Sequence, residues 1–331
     1  MKALRQPFIW ITLLIVAGVA AIPLVTGSAS LRENMFNIWL FVIFASSLNM
    51  ITGYTGYTNF GHIIFFGVGG YFCFYLVQAF QVHFVIAALV GGIIASIVAV
   101  LLGIPMLRLR GAYFALGTIG LNEAFRSFFN NFDLFGGSVG MFFNASVFQT
   151  YGGAANAIWM AYFAIVVITL LTILTSFLVK KSKFGLGLMA IREDQDAAQV
   201  IGINPARFKV MAYGISAFFP GLAGATYFFK NSVIEPSQAF DLLRSIEGLV
   251  MIMLGGYGTV TGPIVGAILY ERLRSLLITA PPLVLFGTTI TFSNLHLAIA
   301  GVLLLLIVLF VTSGVVGLLR QYVPFLRRFL E

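Results

Sequence analysis

Three pairs of opposite charge stand three residues apart in or beside apolar stretches of this sequence: Glu123 with Arg126, Arg244 with Glu247, and Glu271 with Arg274. That spacing lets both members of a pair meet on one helix face. An ion alone in hydrocarbon costs roughly 2.5–3.5 kcal/mol on insertion scales, so such groups are expected to face protein or water. Mutual neutralisation, with the pairs holding helices in register, is the favoured reading; contact with a polar or zwitterionic solute is the functional one. Catalytic chemistry finds little support. His62, His83 and His296 are too scattered for a metal site, Cys73 has no disulfide partner, and no G-x4-GK[ST] phosphate loop occurs. A polytopic membrane enzyme would need clustered catalytic or ligating residues. The chain is therefore expected to hold no catalytic site, metal or cofactor of its own.

A second kind of chemistry is possible at the stretch GYTGYTNFG, residues 53–61, where glycine, threonine and asparagine interrupt a charge-free run from Asn34 to Leu107. Bare backbone inside a membrane is tolerated only where it is buried in protein or lines a water-filled path. Asn49, Tyr54, Thr55, Thr58 and Asn59 bring hydrogen-bonding groups to this break, and with His62, Thr118 and Asn122 they are candidates for lining or gating a translocation path. A similar stretch, GGYGTVTGP, follows at 255–263. Two interrupted segments in separated halves are a transporter pattern. A plain connecting turn remains the alternative at each.

The elements that must position these residues are set by composition. Of 331 residues, 60% are hydrophobic, 9% charged and 15% aromatic, too apolar for a water-facing surface. The long charge-free runs exceed the ~20 residues that one helical span requires, and they are solidly apolar rather than alternating. The fold class expected is an all-α polytopic transmembrane bundle of about ten spans, eight to ten being plausible. The spans fall near 8–26, 36–52, 59–80, 84–106, 112–130, 157–179, 208–229, 242–256, 260–279 and 294–313. The first is read as a retained span rather than a cleaved signal. Excess Lys and Arg mark cytoplasmic segments. With both termini inside, Lys2, Arg5, Arg108, Arg110, Lys180, Lys181, Lys183, Arg192, Arg207, Lys209, Arg320, Arg327 and Arg328 fall on that side, whereas Arg272 and Arg274 fit poorly. The net charge of +8 follows from this rule and from contact with anionic lipid, without any nucleic acid. Small residues every fourth position (Ala87, Gly91, Ala95, Ala99, Gly103; then Ala217, Gly221, Ala225; and Gly262, Gly266) predict close helix packing.

The largest polar insertion, 180–209, reads KKSKFGLGLMAIREDQDAAQVIGINPARFK. Leu188, Ile191, Ala198 and Ile201 fall near one face at helical spacing, with Arg192, Glu193, Asp194 and Asp196 between them. An apolar stripe on a surface helix needs a cover, either the membrane surface or a partner protein.

Asp196, Ala197 and Ala198, with Gly202 four positions on, resemble the EAA-x3-G loop of ATP-binding-cassette importer permeases, with Asp in place of Glu. The text around it resembles the M-type, LivM-like permease subunit of branched-chain amino acid importers. So do LNMITGYTGYTNFGHIIFFGVGGY at 48–71, LRLRGAYFALGTIGLNEAFR at 107–126 and SIEGLVMIMLGGYGTVTGPIVGA at 245–267. The later Ile-x-Leu-Pro part of the general loop pattern is absent, Phe219 and Pro220 standing roughly in its place, and Asn59 and His62 depart from the commonest wording. The resemblance implies one permease domain over 1–331 with a coupling loop at 180–209, in a bacterial inner membrane. It further implies a homologous second permease, two cytoplasmic ATPase subunits that carry ATP and Mg, and an extracytoplasmic solute-binding protein. Leu188, Ile191, Arg192, Glu193, Asp194, Asp196, Ala197, Ala198, Ile201 and Gly202 would then contact an ATPase. A permease for urea or short amides shares this loop and the LRLRG block and is the alternative. Inward transport by alternating access is the activity implied.

Overall fold

The computed structural model describes residues 7–279, 283–285, 288–290, 301 and 314–317. The span expected at 294–313 lies almost wholly outside them, as do Lys2, Arg5, His296, Arg320, Arg327 and Arg328. The helices run α1 (Pro7–Thr26), α2 (Ala29–Thr55), α3 (Ile63–Phe80), α4 (Phe84–Met106), α5 (Ala112–Asn130), α6 (Ala145–Gln149), α7 (Ala154–Lys181), α8 (Lys183–Glu193), α9 (Gln195–Val200), α10 (Pro205–Asn231), α11 (Pro236–Ala239), α12 (Leu242–Gly255) and α13 (Thr261–Thr279). The chain is a mostly helical membrane protein: α2, α3, α4 and α7 are each long and apolar enough to cross a bilayer. Two small additions depart from a purely helical reading. Strand β1 (Met141–Phe142) pairs antiparallel with β2 (Val233–Ile234), and β3 (Leu283–Leu285) pairs with β4 (Thr288–Ile290).

Helix α2 is the axis of the bundle. It begins where Ser28 Oγ accepts the Leu31 amide at 3.3 Å and ends at Gly56, whose left-handed φ of 79° satisfies the end of the helix without a Cβ clash. Packed against α1, α7, α10, α12 and α13, it is buried along nearly its whole length, from Met35 to Thr55. Its helical length is therefore greater than the span of 36–52 read from hydropathy.

Lipid tails are as apolar as leucine, so the helices are not driven together by water exclusion; close backbone approach must supply the attraction. The seam of α3, α4 and α10 supplies it with glycine. A Cβ placed on Gly91 would lie 2.5 Å from the Gly69 carbonyl oxygen, and one on Gly221 would lie 2.7 Å from the Ala95 Cβ. Gly262 and Gly266 do the same for α13 against the Met251–Gly256 segment. The four-residue stripes read in the sequence are thus contact faces.

One end of the bundle gathers the basic segments: the ends of α2, α4 and α7, the start of α10, and α8 with α9. The opposite end is closed by aromatic rings. Phe74 stacks on Phe143 with centroids 3.6 Å apart, Phe84 stacks on Phe229 at 4.1 Å, and Tyr71, Phe129, Phe135 and Phe240 form a second cluster. The β1–β2 pair ties this cap to the end of α10.

The three expected ion pairs fare differently. Arg126 lies 3.7 Å from Glu123, but both are substantially exposed on α5. Glu271 and Arg274 approach at 3.9 Å, with Glu271 nearly buried. Arg244 and Glu247 do not pair. Arg244 lies over the rings of Phe66 and Tyr227 and donates to the Tyr227 hydroxyl at 3.2 Å, while Glu247 accepts the Tyr270 hydroxyl at 3.0 Å. Nearby aromatic faces and a hydroxyl satisfy each charge separately.

Candidate functional site

The two glycine breaks, 200 residues apart in the chain, meet in space at the basic end of the bundle. Asn49 joins them: its Nδ2 donates to the Thr259 carbonyl at 2.8 Å, and its Oδ1 accepts the Gly258 amide at 3.0 Å. The Tyr257 hydroxyl donates to the Thr52 carbonyl across the same contact. Gly258 has φ of 69°, and a Cβ there would lie 3.0 Å from the Gly53 carbonyl oxygen, so both its conformation and its surroundings require glycine.

The other path candidates are mostly occupied within the break. Tyr54 Oη lies 2.8 Å from Ser176 Oγ, and Thr55 Oγ1 donates to the Ile51 carbonyl at 2.6 Å. Asn59 Oδ1 accepts the Gly61 amide at 3.0 Å and Thr118 Oγ1 accepts the Phe60 amide at 3.2 Å. His62 Nε2 lies 3.0 Å from Ser47 Oγ. Asn122 Nδ2 donates to the Phe240 carbonyl at 2.9 Å, leaving its buried Oδ1 without a partner. All of these side chains are buried; Asn59 and Thr118 satisfy amides of the break itself, whereas Tyr54, His62 and Asn122 tie neighbouring elements to one another. Thr58 differs. It lines a cavity of about 330 Å³ together with Thr52, Phe60, Leu249, Met253 and Tyr257. The walls are chiefly apolar and come from both breaks.

The 180–209 insertion is two helices, broken at Asp194. Asp194 Oδ1 accepts the amides of Asp196 and Ala197 at 2.9 and 3.0 Å, capping α9. The C-terminus of α9 closes with Gly202 at φ 91°: the Ile203 amide reaches the Ala198 carbonyl and the Gly202 amide the Gln199 carbonyl, both at 3.1 Å. No atom lies within 4 Å of a Cβ built at Gly202, so glycine is there for the turn and not for a close approach.

The apolar stripe is corrected by the structure. Leu188, Ile191 and Ala198 are buried within this chain, at 0%, 3% and 2% exposure, and cannot fill a groove on a partner. The stripe seats the insertion on the ends of the bundle helices. Ile201, at 73%, is the one member of the stripe that stays exposed; Val200 at 88% and Leu186 at 61% are exposed apolar side chains that sequence periodicity did not single out.

The charged residues are also engaged. Arg192 donates through Nη1 to the Gly53 carbonyl at 3.0 Å and through Nη2 to Glu193 at 2.7 Å. Its Nη1 lies 2.8 Å from where a Cβ of Gly258 would stand, so one guanidinium touches both breaks. Asp196 is gripped by both Nη atoms of Arg110, at 3.0 and 3.3 Å, and this contact raises the guanidinium above its ordinary pKa. Lys209 anchors the start of α10, donating to Tyr57 Oη at 2.8 Å, the Leu107 carbonyl at 2.9 Å and Gln195 Oε1 at 3.1 Å. Tyr57 and Gln195 close this network at 2.9 Å. Sequence reasoning counted Lys209 only as a marker of sidedness. Its position at the very edge of a charge-free run was the available signal. Among the described residues no three His, Cys, Asp or Glu side chains converge as metal ligands.

Residues 30–308, which include both breaks and the insertion joined to them, match the family described as branched-chain amino acid transport system, permease component. The chain belongs to this family. It is 30% identical over 261 residues to the high-affinity branched-chain amino acid transport system permease protein LivM of Escherichia coli, covering 72% of this chain and 61% of that protein. The Salmonella typhimurium LivM is 27% identical over 301 residues, 83% of this chain and 69% of its own length. A probable LivM of Methanocaldococcus jannaschii is 22% identical over 321 residues, 86% of this chain and 92% of its own. The chain thus spans less than two thirds of the Escherichia coli relative. No solved structure matches it.

Proposed function

We propose that this permease-family chain is one permease subunit of an ATP-binding-cassette importer that carries branched-chain or related hydrophobic amino acids inward by alternating access. The observation that carries the reading is Arg192, which links the α8–α9 insertion to both helix breaks through a single side chain. Movement of the insertion is then felt at the breaks without an intervening element. In this reading the basic end is cytoplasmic, the chain crosses a bacterial cytoplasmic membrane about ten times, and both termini lie inside. A second, homologous permease completes the path, a binding protein delivers solute, and two ATPases hold ATP and Mg. The ATPase contact is the exposed apolar surface of Leu186, Val200 and Ile201 with Glu193 and Asp194 beside it, while Ala197, Ala198 and Gly202 shape α9.

The apolar cavity at Thr58 suits an aliphatic side chain better than urea, and the relatives' names point the same way. Vesicles containing the assembled complex test this with labelled leucine, isoleucine, valine and urea. ATP-dependent uptake of the three amino acids is expected. Urea uptake without amino acid uptake would overturn the solute, and ATP-independent uptake by this chain alone would overturn the class.

A further inference from the structure

A pocket of about 870 Å³ lies between the C-terminal end of α4, the start of α10 and the α9 turn. Its lining includes Arg108, Arg110, Arg207 and Lys209 and no acidic residue. Lys209 and Arg110 are committed to the contacts described above. The Arg108 and Arg207 side chains are exposed and make no hydrogen bond or ion pair among the described residues. The N-terminus of the 27-residue α10 also opens into the pocket, adding the positive end of its dipole.

The opposite wall is apolar. Ile104, 50% exposed, and Met211, 55% exposed, face outward there. Above them Ile93, Ile97 and Leu101, each at least half exposed, continue the same surface up α4. A basic floor below a strip of outward-facing aliphatic side chains, at the end of a membrane-spanning helix, has the polarity of an amphiphile with an anionic head. A soluble anion would leave the apolar wall unused, and an acidic protein segment would leave the strip along α4 uncovered.

We propose that this pocket binds an anionic phospholipid, its phosphate held by Arg108 and Arg207 and its acyl chains lying along α4 past Ile104 and Leu101. Since α9 forms one wall, the lipid head touches the segment that carries Gln195 and Gln199. The site depends on membrane placement alone and stands apart from the transport reading.

The full chain, purified with its associated subunits and placed in lipid nanodiscs, is labelled with a bimane at Ile104→Cys; Cys73 is buried and stays unlabelled. Brominated phosphatidylglycerol is expected to quench the label at a markedly lower mole fraction than brominated phosphatidylcholine. The preference should fall roughly fivefold for each guanidinium removed in R108Q and R207Q and shrink as salt is raised, while R108K with R207K retains most of it. Unaltered size-exclusion behaviour and preference in the lysine variant separate lost binding from lost folding. Equal quenching by both lipids, a preference unchanged in the glutamine double variant, displacement by inorganic phosphate, or shielding of the label from both lipids by a neighbouring subunit would each overturn the proposal.

Discussion

Glycine is used in two opposite ways in this molecule. In the seam of α3, α4 and α10, Gly69, Gly91 and Gly221 lie within regular helix and exist for what they lack, because a side chain at any of them would strike a neighbouring helix. At the junction of the breaks, Gly56 and Gly258 lie outside helices at positive φ, so their backbone conformation itself calls for glycine, and at Gly258 the close approach of Gly53 adds to that requirement. Around them polar side chains do the binding: Asn49, Arg192 and Tyr257 reach across to main-chain carbonyls and amides. The seam is a packed surface with a single good arrangement. The junction is a set of directional bonds between two interrupted helices, and bonds of that kind can be exchanged for others when an element moves. Packed seam and hydrogen-bonded junction are thus built from the same residue type, separated by the sign of φ and by the presence of polar partners.

The sharpest way to break this comparison is to enlarge the seam. G221L should cost about 3 kcal/mol or more, since the new side chain has only the α4 backbone and Ala95 to displace. Loss of the monodisperse, folded protein on size-exclusion chromatography is the expected result. A folded and transporting variant would show that the seam yields as readily as the junction.

A smaller effect, of a different kind, is expected at the junction. R192Q removes a charge-assisted bond worth roughly 1.5–3 kcal/mol but leaves the bundle core untouched. Folded protein should persist while ATP-driven uptake falls by about ten- to a hundredfold. If stability falls and the uptake of the surviving fraction is normal, Arg192 is a scaffold residue and the contrast fails.

The smallest effect belongs to α5. Glu123 and Arg126 are an exposed pair at 3.7 Å, so E123Q should shift thermal stability by no more than about 0.5 kcal/mol, and R126Q added to it should restore nothing measurable. A large loss from E123Q would show that a partner chain buries the pair.

The breaks themselves were legible in the sequence, because glycine and threonine inside a charge-free run have few structural uses. What each polar residue does there was not. Thr118 and Asn122 bind the backbone of Phe60 and Phe240, and nothing local in the sequence pairs those positions. The α8–α9 insertion shows the same limit from the other side. Helical spacing marked Leu188, Ile191, Ala198 and Ile201 as a face that needed covering, but periodicity cannot say whether the cover is the same chain or another. The bundle ends cover the first three and leave Ile201 exposed, along with Leu186 and Val200, which the spacing had not marked.

Composition and hydropathy alone determined that this chain is helical and membrane-embedded, since a lipid solvent leaves few ways to satisfy a backbone and those ways depend only on local sequence. The four-residue stripes likewise fixed which helix faces pack. Only the tertiary structure decided that Asn49 and Tyr257 bring the breaks at 53–61 and 255–263 together with Arg192 bound beside them, that Arg244 and Glu247 find separate partners, and that Lys209 ties α9 to α10. Those choices depend on which groups a folded chain places within about 3 Å of each other, a distance at which direction and competition among partners outweigh spacing along the sequence.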